Sequence, residues 1–287
     1  MIVVTGATGQ LGHQVISHLL ERGVPADRIV AAGRDSSGSA EFDASGVEFR
    51  RADYDLPETL PAAFEGADKV LLVSTPAGAD AKRIQQHQAV IDAATEAGVS
   101  LLAYTSVTNA PTNTMGLARV HRATEQAIAA SGLPAVILRN GWYAENHTAA
   151  IGNAVQYGAL IGSAGNGRMA SASRADLAEA AAIILTLDDQ AGKIYDLTGD
   201  TAWTLSELAA EVAAQSGVPV TYTDVPAEQY RGILQQAGLP DHVVELIVDA
   251  DVAISQGALD YVTNDLRSVL GRPTTPMATS VTSALKG

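Results

Sequence analysis

The sequence predicts an α/β protein built on a doubly wound parallel sheet, and three observations favour this class. First, short apolar segments rich in β-branched residues alternate with helical segments through the first half of the chain, which is typical of repeated strand–helix–strand units. Second, the segment Val70–Val73 is wholly apolar, as expected where helices cover both faces of a parallel sheet. Third, a glycine-rich turn joins the first strand to the first helix. Right-handed crossovers would wind these units into one sheet.

The elements of the first half follow one another in a regular order. Strands are predicted at residues 2–5, 29–32, 47–51, 70–73, 101–104 and 135–138. Helices are predicted at residues 11–22, 80–97 and 117–130, and the first two are followed by a glycine, which is typical of a helix end. A loop rich in serine, glycine and aspartate is expected from Asp35 to Gly46. Asp55 and Glu58 have capping-box spacing for a further helix that runs to Phe64.

The second half of the chain has a different pattern. A tight glycine-rich turn spans Gly162–Gly167, and a helix at 175–187 followed by a strand at 194–197 can rejoin the first sheet. After Gly199 the pattern is mainly helical, because Thr204 and Glu207 form a second capping box and prolines at 226 and 276 begin helices. We therefore predict a sheet domain of residues 1–141 and 169–199, and a smaller, mainly helical lobe of residues 142–168 and 200–287.

Composition and charge narrow the range of partners. The 287 residues include 18 Lys and Arg against 32 Asp and Glu, a formal net charge of −14, which disfavours nucleic acid and anionic membranes because both attract basic surfaces. The absence of cysteine excludes disulfides, thiolate nucleophiles and Cys-ligated metals, and no cluster of His, Asp and Glu has metal-ligand spacing. With neither a secretory signal nor an apolar run long enough to span a membrane, the protein is expected in the cytoplasm.

The turn after the first strand is the strongest functional motif. Its glycines follow a G-x-x-G-x-x-G spacing, in which Gly6 permits the tight turn, Gly9 the close approach of phosphates and Gly12 the packing of helix on strand. A dinucleotide needs this context because its phosphates bind backbone amides at the positive end of a helix. The predicted pyrophosphate site comprises Gly6, Ala7, Thr8, Gly9, Gln10, Leu11 and Gly12. The sheet domain is therefore predicted to be an NAD(P)-binding domain of the Rossmann type, and the smaller lobe to bind substrate.

The end of the second strand indicates which nicotinamide cofactor fits. Arg34 favours NADPH, because an arginine at this position accommodates the 2′-phosphate, and it can also stack on the adenine. Asp35 is a competing signal for NADH, since an inward carboxylate would bind the ribose 2′-hydroxyl and repel a phosphate. We predict NADP(H) as the preferred cofactor and NAD(H) as the second choice. The alternative for Arg34 is a solvated loop charge.

Further binding residues are predicted at the carboxyl ends of the parallel strands, where ligands of this fold bind. The residues just past the fourth, fifth and sixth strands are Ser74, Thr75, Pro76, Thr105, Ser106, Arg139, Asn140, Gly141, Trp142 and Tyr143. Asp53, just past the third strand, can reach the adenine. The alternative for each of them is an ordinary loop position.

Several blocks of the sequence resemble the NmrA-like group of atypical short-chain dehydrogenases/reductases, and most closely its bacterial quinone oxidoreductase and triphenylmethane-dye reductase branch. The matching blocks are Arg34 and residues 5–12, 52–54, 103–106, 138–143, 173–176, 202–205 and 271–275. Together they extend over essentially the whole chain. The first block is shared by many reductases, whereas residues 139–143 (RNGWY) and 202–205 (AWTL) are more specific.

This resemblance implies NADPH binding and the reduction of a small, flat, electron-poor acceptor such as a quinone. It carries a cofactor-binding role onto Gly6–Leu11, Arg34, Ser74–Pro76 and Leu138–Tyr143. It also implies a position near the cofactor for Arg168, which follows the glycine-rich turn of the second half.

The sequence lacks the Tyr-x-x-x-Lys pair that activates a tyrosine in typical short-chain dehydrogenases. Alcohol oxidation and sugar-nucleotide epimerisation, which need that tyrosine, are therefore disfavoured. Hydride transfer to a quinone needs chiefly an oriented nicotinamide and the exclusion of water. Tyr143, Asn140 and His121 are the candidate catalytic donors near the acceptor oxygen, and Trp142 can stack on a flat ring. A solvated helix position for His121 and a core position for Trp142 are the alternatives.

A second hypothesis for the function is an NADP(H)-sensing regulator without turnover. The NmrA-like group includes such redox sensors, and the missing catalytic pair is compatible with one. A sensor would bind the oxidised and reduced cofactor and bias a protein partner. The resemblance to reductases through the second lobe favours the enzyme.

Overall fold

The computed structural model describes residues 1–35, 39–76 and 78–286. Its strands are β1 (Ile2–Thr5), β2 (Ile29–Gly33), β3 (Glu48–Arg51), β4 (Lys69–Leu72), β5 (Leu101–Val107), β6 (Ala135–Asn140), β7 (Ala159–Gly162), β8 (Ile194–Leu197) and β9 (Thr221–Asp224). Its helices are α1 (Gln10–Glu21), α2 (Ser39–Ser45), α3 (Leu60–Ala63), α4 (Asp80–Glu96), α5 (Ala118–Ser131), α6 (Glu145–Thr148), α7 (Ile151–Tyr157), α8 (Arg174–Thr186), α9 (Leu205–Ser216), α10 (Ala227–Gln236), α11 (Asp241–Ser255), α12 (Asp265–Leu270) and α13 (Met277–Lys286). Over these described residues, no helix combines the length and the apolar composition needed to cross a bilayer.

Seven of the strands form one sheet in the order β3-β2-β1-β4-β5-β6-β8. The pairs from β3 to β5 are parallel, and Val3 of β1 lies between Val30 and Val70 of its two neighbours. The strand order reverses between β1 and β4, which is the point where sheets of this kind bind their ligands. The predicted Rossmann-type parallel sheet is confirmed, including the return of the strand at 194–197 to the edge beside β6.

The chain divides into two compact units. The first unit comprises Met1–Val107, Val120–Arg139 and Ala175–Tyr195. The second comprises Thr108–Arg119, Asn140–Arg174 and the chain from Asp196 onward. The division into a cofactor domain and a smaller substrate lobe, with boundaries after residues 141, 168 and 199, remains a prediction.

The core of the first unit is formed by side chains from the sheet and from the helices packed on it. Val3, Leu72, Leu102 and Tyr104 are completely buried, and Phe64 at the end of α3 belongs to the same cluster. Strands covered on both faces need apolar residues at almost every position. The apolar runs in the sequence therefore become the central strands.

The segment expected as a loop, Asp35–Gly46, contains helix α2, so that prediction is wrong. Residues 36–38 of the segment lie outside the described residues. The helix forms around one apolar anchor, because Phe42 is only 3 % exposed and its ring centroid lies 6.2 Å from that of Phe49. Packing of this single ring outweighs a local composition that favours a loop.

The capping box predicted at Asp55 and Glu58 does not form. The Asp55 carboxylate instead accepts from Lys82 Nζ at 2.9 Å and from Gln86 Nε2 at 2.8 Å. The segment that follows folds as a short 3-10 helix, Pro57–Thr59, and then as the four-residue α3. Prolines at 57 and 61 cannot donate backbone hydrogen bonds, so the two helices here stay short.

The second unit contains a small sheet that the sequence does not predict. Strands β7 and β9 pair in parallel, with Gly162 opposite Asp224, within a region that is otherwise helical after residue 199 as expected. The capping box predicted at Thr204 and Glu207 is confirmed, because the Glu207 N–H donates to Thr204 Oγ1 at 3.1 Å. The helices predicted after prolines 226 and 276 are confirmed as α10 and α13.

Candidate active site

The glycine turn between β1 and α1 has the geometry that a dinucleotide phosphate needs. Gly6 has a φ of +60°, in the left-handed region that suits glycine, and the Gly9 N–H donates to the Gly6 carbonyl at 2.9 Å. A Cβ at Gly12 would lie 2.5 Å from the Gly6 carbonyl oxygen, so only glycine lets α1 pack this closely on the turn. The residues Gln10–Gly12 form the first turn of α1, where backbone N–H groups lack intrahelical partners and can bind an anion.

The other residues of this turn divide between a structural anchor and an open surface. Ala7 is completely buried, and its N–H donates to the Ala32 carbonyl at 3.0 Å, which ties the turn to β2. Thr8, Gly9 and Gln10 are exposed. The predicted pyrophosphate site is therefore held to β2 through Ala7 and exposed at Thr8–Gln10, and these residues fit a bound diphosphate.

The carboxyl ends of β2 and β3 bring together the residues predicted around the adenosine. Arg34 and Asp35 follow β2 and are exposed. The pKa of Asp55 is lowered chiefly by its hydrogen bond from Lys82, and the charge of Arg34 is the smallest contribution to that lowering. Asp53 Oδ1 accepts the Asp55 N–H at 3.0 Å. The preference for NADPH over NADH remains a prediction.

The loop after β4 lies beside the glycine turn. A Cβ at Gly6 would lie 3.3 Å from the Val73 Cβ, and Val73 begins this loop. The Ser74 N–H donates to Thr105 Oγ1 at 2.9 Å, so these two predicted residues meet at the carboxyl edge of β4 and β5. Pro76, further along the loop, is exposed.

The buried ring of His87 holds Thr75 of this loop in place. The Thr75 N–H donates to His87 Nε2 at 3.0 Å, and His87 Nδ1 lies 2.8 Å from Thr124 Oγ1. Since Nε2 accepts a backbone N–H, the ring proton is on Nδ1 and is donated to Thr124, whose hydroxyl donates to the Val120 carbonyl at 2.9 Å. Burial, and then the charge of Arg83, lower the pKa of His87 to about 3. The ring therefore stays neutral at physiological pH.

His121 is buried in the first unit rather than solvated. It is 5 % exposed, and its Nδ1 lies 2.8 Å from the Tyr104 hydroxyl. Burial lowers the pKa of His121 to about 3 and raises the pKa of Tyr104. This pair therefore consists of a neutral imidazole and a protonated phenol at neutral pH. The catalytic role of His121 remains a prediction.

The end of β6 within the first unit is occupied by an ion pair. Arg139 donates to Glu125 from Nε at 3.0 Å and from Nη2 at 2.7 Å, and the Ser106 hydroxyl donates to the same carboxylate at 2.5 Å. Leu138 is completely buried. Arg139 and Leu138 thus support the strand end from within, and their direct contact with a cofactor remains a prediction.

In the second unit, Asn140 and Tyr143 lie together as candidate donors. Asn140 Nδ2 is 3.5 Å from the Tyr143 hydroxyl, and the Arg174 guanidinium carbon is 4.9 Å from the centroid of the Tyr143 ring, within the range of a cation–π contact. Burial raises the pKa of Tyr143 against the opposing effects of Asn140 and Arg174. The phenol is therefore protonated at neutral pH and can donate a hydrogen bond beside a fixed positive charge.

The two residues between Asn140 and Tyr143 shape this segment. A Cβ at Gly141 would lie 2.9 Å from the Leu197 carbonyl oxygen, to which the Gly141 N–H donates at 2.8 Å. Trp142 Nε1 donates to His147 Nε2 at 3.1 Å. Trp142 packs against the core of the second unit and stays half-buried, so part of its ring surface is open.

Arg168 lies in the second unit, after the turn that follows β7. Its guanidinium donates to the Ala202 carbonyl, and Nη1 lies 3.6 Å from Glu207 Oε2. With Trp203 and others it lines a cavity of about 640 Å³ within this unit. The contact of Arg168 with the cofactor remains a prediction.

Three residues that the sequence did not indicate are placed at these sites: Arg83, His87 and Arg174. Arg83 and His87 are four residues apart on α4 and share the buried face with apolar residues such as Val90, as i and i+4 positions do. A polar side chain on the apolar face of a crossover helix is the signal that could have found them. Arg174 is the first residue of α8 and lies in the block 173–176 that resembles the family, but nothing in that block indicates a position over Tyr143.

Comparisons with known proteins agree with this geometry. The phosphate turn and the reversal of strand order define a dinucleotide-binding α/β protein. Residues 6–188 match a family model described as NAD(P)H-binding. The chain therefore belongs to this NAD(P)H-binding family, and the predicted cofactor class is confirmed.

Several relatives match over nearly the whole chain. Quinone oxidoreductase 2 of Escherichia coli is 44% identical over 281 residues, which cover 98% of this chain and 97% of the relative. An NADPH-dependent quinone oxidoreductase from Escherichia coli, solved in complex with NADPH, superposes with a TM-score of 0.95 at 44% identity, covering 99% and 100% of the two chains.

Two further relatives have names that refer to other acceptors. Triphenylmethane reductase of Citrobacter sp. has a TM-score of 0.95 at 38% identity, covering 100% of this chain and 99% of that one. The NAD(P)H azoreductase of Xenophilus azovorans is 29% identical over 274 residues, covering 95% and 94%. The resemblance to the NmrA-like atypical short-chain dehydrogenase/reductase group is thereby confirmed.

Proposed function

We propose that this protein catalyses the NADPH-dependent, two-electron reduction of quinone-like acceptors. The observation that carries the proposal is the pairing of Asn140 with Tyr143 beneath the Arg174 guanidinium. This arrangement offers a neutral hydrogen-bond donor and a positive charge, both of which stabilise an oxygen that becomes anionic. The relatives named for quinone, azo and triphenylmethane reduction support the same chemistry on flat, electron-poor molecules.

The cofactor would be held by residues of the first unit and by neighbouring strand ends. The amides of Gln10–Gly12 would bind the pyrophosphate, Arg34 the 2′-phosphate and Asp53 the adenosine, whereas Ser74–Pro76 and Thr105 would orient the nicotinamide. Bound NADPH supplies the hydride that the reaction needs. Leu138, Arg139, Gly141 and Arg168 remain predicted cofactor neighbours.

The acceptor would be bound by residues of the second unit. Tyr143 would donate a hydrogen bond to the acceptor oxygen, Asn140 would orient the phenol, and Arg174 would stabilise negative charge beside it. An electron-poor acceptor needs no activated base, so the absence of a lysine partner does not prevent this role. The open ring surface of Trp142 would offer a flat contact for an aromatic acceptor.

The alternative of a sensor without turnover is less well supported. The quinone, azo and triphenylmethane relatives reported above match over nearly the whole length of the chain and have names that refer to reductase activity. The expected cytoplasmic location and the absence of nucleic-acid partners remain predictions from composition.

The proposal is tested by mixing the protein with NADPH and a benzoquinone and following the near-ultraviolet absorbance of NADPH. We expect rapid, enzyme-dependent oxidation, which Tyr143→Phe should slow by about 10–100-fold through loss of one donor, while the affinity for NADPH stays within about twofold. Tyr157→Phe, at a tyrosine that is 74 % exposed in the same unit, is the matched control.

Two outcomes would contradict this proposal. Tight NADPH binding without oxidation by any quinone would favour the sensor. Unchanged turnover in Tyr143→Phe would remove that residue from the donor role.

A further inference from the structure

Arg83 is a buried cation whose hydrogen-bonding capacity is almost unused. It ends the first turn of α4, at the carboxyl end of β4, and is 6 % exposed. Within the described residues, its hydrogen bonding amounts to one contact, from Nε to Thr75 Oγ1 at 3.4 Å, which is long for such a bond. A guanidinium has five N–H donors, so most of them lack a protein acceptor in the described part of the chain.

This position is unfavourable for a cation in the protein alone. Burial lowers the pKa of Arg83, because desolvation opposes the charged form. The amino end of a helix also carries partial positive charge, which repels a cation. An apolar side chain of similar length would avoid both effects, so packing alone does not explain an arginine here.

The groups that face Arg83 supply little negative charge. Its charge lowers the pKa values of His87 and His121, which burial already holds neutral. Tyr104 stays protonated because burial raises its pKa. Asp80, on the same helix, attracts the guanidinium only as the smallest of the effects on its pKa. Among the described residues, then, no carboxylate forms an ion pair with Arg83.

We propose that Arg83 is the counter-charge for an anionic oxygen of a bound ligand. Two ligands of the proposed function carry such an oxygen, the dinucleotide on its phosphates and the acceptor on the oxygen that receives the electron pair. The inference rests on the proposed function for the identity of the ligand.

The surroundings of Thr75 suit such an oxygen. Thr75 Oγ1 lies 3.4 Å from Arg83 Nε and 3.1 Å from His87 Nε2, so the hydroxyl and the guanidinium are held side by side. This pair lies at the carboxyl end of β4, next to the reversal of strand order where the ligands of such sheets bind.

The test compares three variants of the full chain. Arg83→Met keeps the length and removes the charge, Arg83→Lys keeps the charge without the planar fork, and Arg22→Met removes an exposed arginine at the end of α1 as the control. We expect Arg83→Met to raise the Tm of the unliganded protein by about 2–4 °C, because a desolvated charge is removed. It should at the same time weaken ligand binding or turnover by at least about tenfold, with Arg83→Lys in between and Arg22→Met unchanged.

The readouts distinguish the two sources of the oxygen. A lower NADPH affinity by calorimetry supports a cofactor phosphate. Unchanged affinity with lower turnover at saturating NADPH supports the acceptor oxygen. If both stay unchanged in Arg83→Met, the residue serves packing only and the proposal is overturned. Should the wild-type protein oxidise no NADPH with a quinone, the proposed function fails, and the NADPH affinity and Tm of the variants then decide on Arg83 alone.

Discussion

Two glycine-rich turns, one in each unit, follow a strand and use their backbone amides in opposite ways. In the first unit, Gln10–Gly12 form the open first turn of a helix. In the turn after β7, side chains occupy the amides, because Asp251 accepts the Ser163 N–H at 2.7 Å and Asp224 accepts the Gly165 N–H at 2.8 Å. The amides of the first turn can thus bind an anionic ligand, whereas the amides of the second already bind carboxylates of the protein. A helix that starts within the turn marks a phosphate site better than glycine content does.

The two units also differ in the titratable groups that they bury. In the first unit, burial lowers the pKa values of His87 and His121 to about 3. In the second, burial lowers the pKa of His147 to about 4 and raises that of Asp251 to about 6. The histidines and the aspartate respond to acid in opposite directions, so the units should differ in their stability at low pH.

A lower pH should produce the largest difference in stability between the two units. Each of His87 and His121 has a usual pKa of 6.5 and a folded pKa of about 3, so the unfolded chain binds protons first and stability is lost as the pH falls through this window. The loss is about 1.4 kcal/mol per pH unit for each ring, or about 5 kcal/mol for both between about pH 6.5 and 4.5. In the second unit, His147 also lowers the stability of the fold as the pH falls. Asp251 has the opposite effect, because it binds its proton near pH 6 in the folded state and so raises the stability of the fold as the pH falls to about 4.

Native-state hydrogen exchange at the two pH values measures this difference. Free energies of opening should fall strongly for amides of β4 and β5 and much less for amides of α11. An equal fall in both units would contradict the comparison.

The close contacts in the two turns give the next largest expected effect. A Cβ would lie 2.5 Å from the Gly6 carbonyl oxygen in Gly12→Ala and 2.3 Å from the Ile254 carbonyl oxygen in Gly167→Ala. Each substitution should lower the free energy of unfolding by about 1–3 kcal/mol in denaturant titrations. Only Gly12→Ala should also abolish NADPH binding in calorimetry. Full affinity in Gly12→Ala, or lost affinity in folded Gly167→Ala, would reverse the roles assigned to the turns.

Arg34→Ala tests whether the first unit binds the 2′-phosphate of NADPH. We expect the affinity for NADPH to fall by about 10–100-fold, because only NADPH carries the 2′-phosphate that a charged side chain would bind. The affinity for NADH, which serves as the internal control, should stay within about twofold. Equal weakening of both cofactors would refute the role of Arg34.

Gly232→Ala should have the smallest effect and serves as a reference for the turn glycines. Gly232 lies within α10, and an added Cβ would meet no heavy atom within 4 Å. The substitution should raise the free energy of unfolding by up to about 1 kcal/mol, since alanine favours helix over glycine, with NADPH affinity unchanged. A loss of stability would show that the contacts of added Cβ atoms do not predict the outcome in this fold.

The predictable part of the fold is the part with strong periodicity. The apolar strands and the glycine turn predict the parallel sheet correctly, because burial on both faces leaves a clear pattern. Strands β7 and β9 have four residues each, β7 being apolar and β9 mainly polar, so no shared pattern predicts their pairing. Helix α2 was missed for a related reason, since one buried side chain, Phe42, holds it.

The candidate site shows the same division. The positions of the glycine turn at a helix start, and of Arg34 and the Asn140–Tyr143 segment at strand ends, could be predicted from the sequence. Their binding roles stay predictions that rest on where this fold places ligands. The partners of these residues could not be predicted, since His87 meets Thr75, and Arg174 meets Tyr143, only through folding across 12 and 31 positions. The tautomer of a ring depends on such partners and has no counterpart in the sequence.

The bond between Thr75 and His87 bears on how fast a bound dinucleotide can leave. The ring joins the backbone after β4 to Thr124 on α5, and these two bonds hold Thr75 in place. Moving Thr75 would leave a ring nitrogen and a backbone amide without their partners at a part-buried position, which is unfavourable. If Ser74–Pro76 contact the cofactor as proposed, we expect its release to proceed without a movement of the backbone at Thr75.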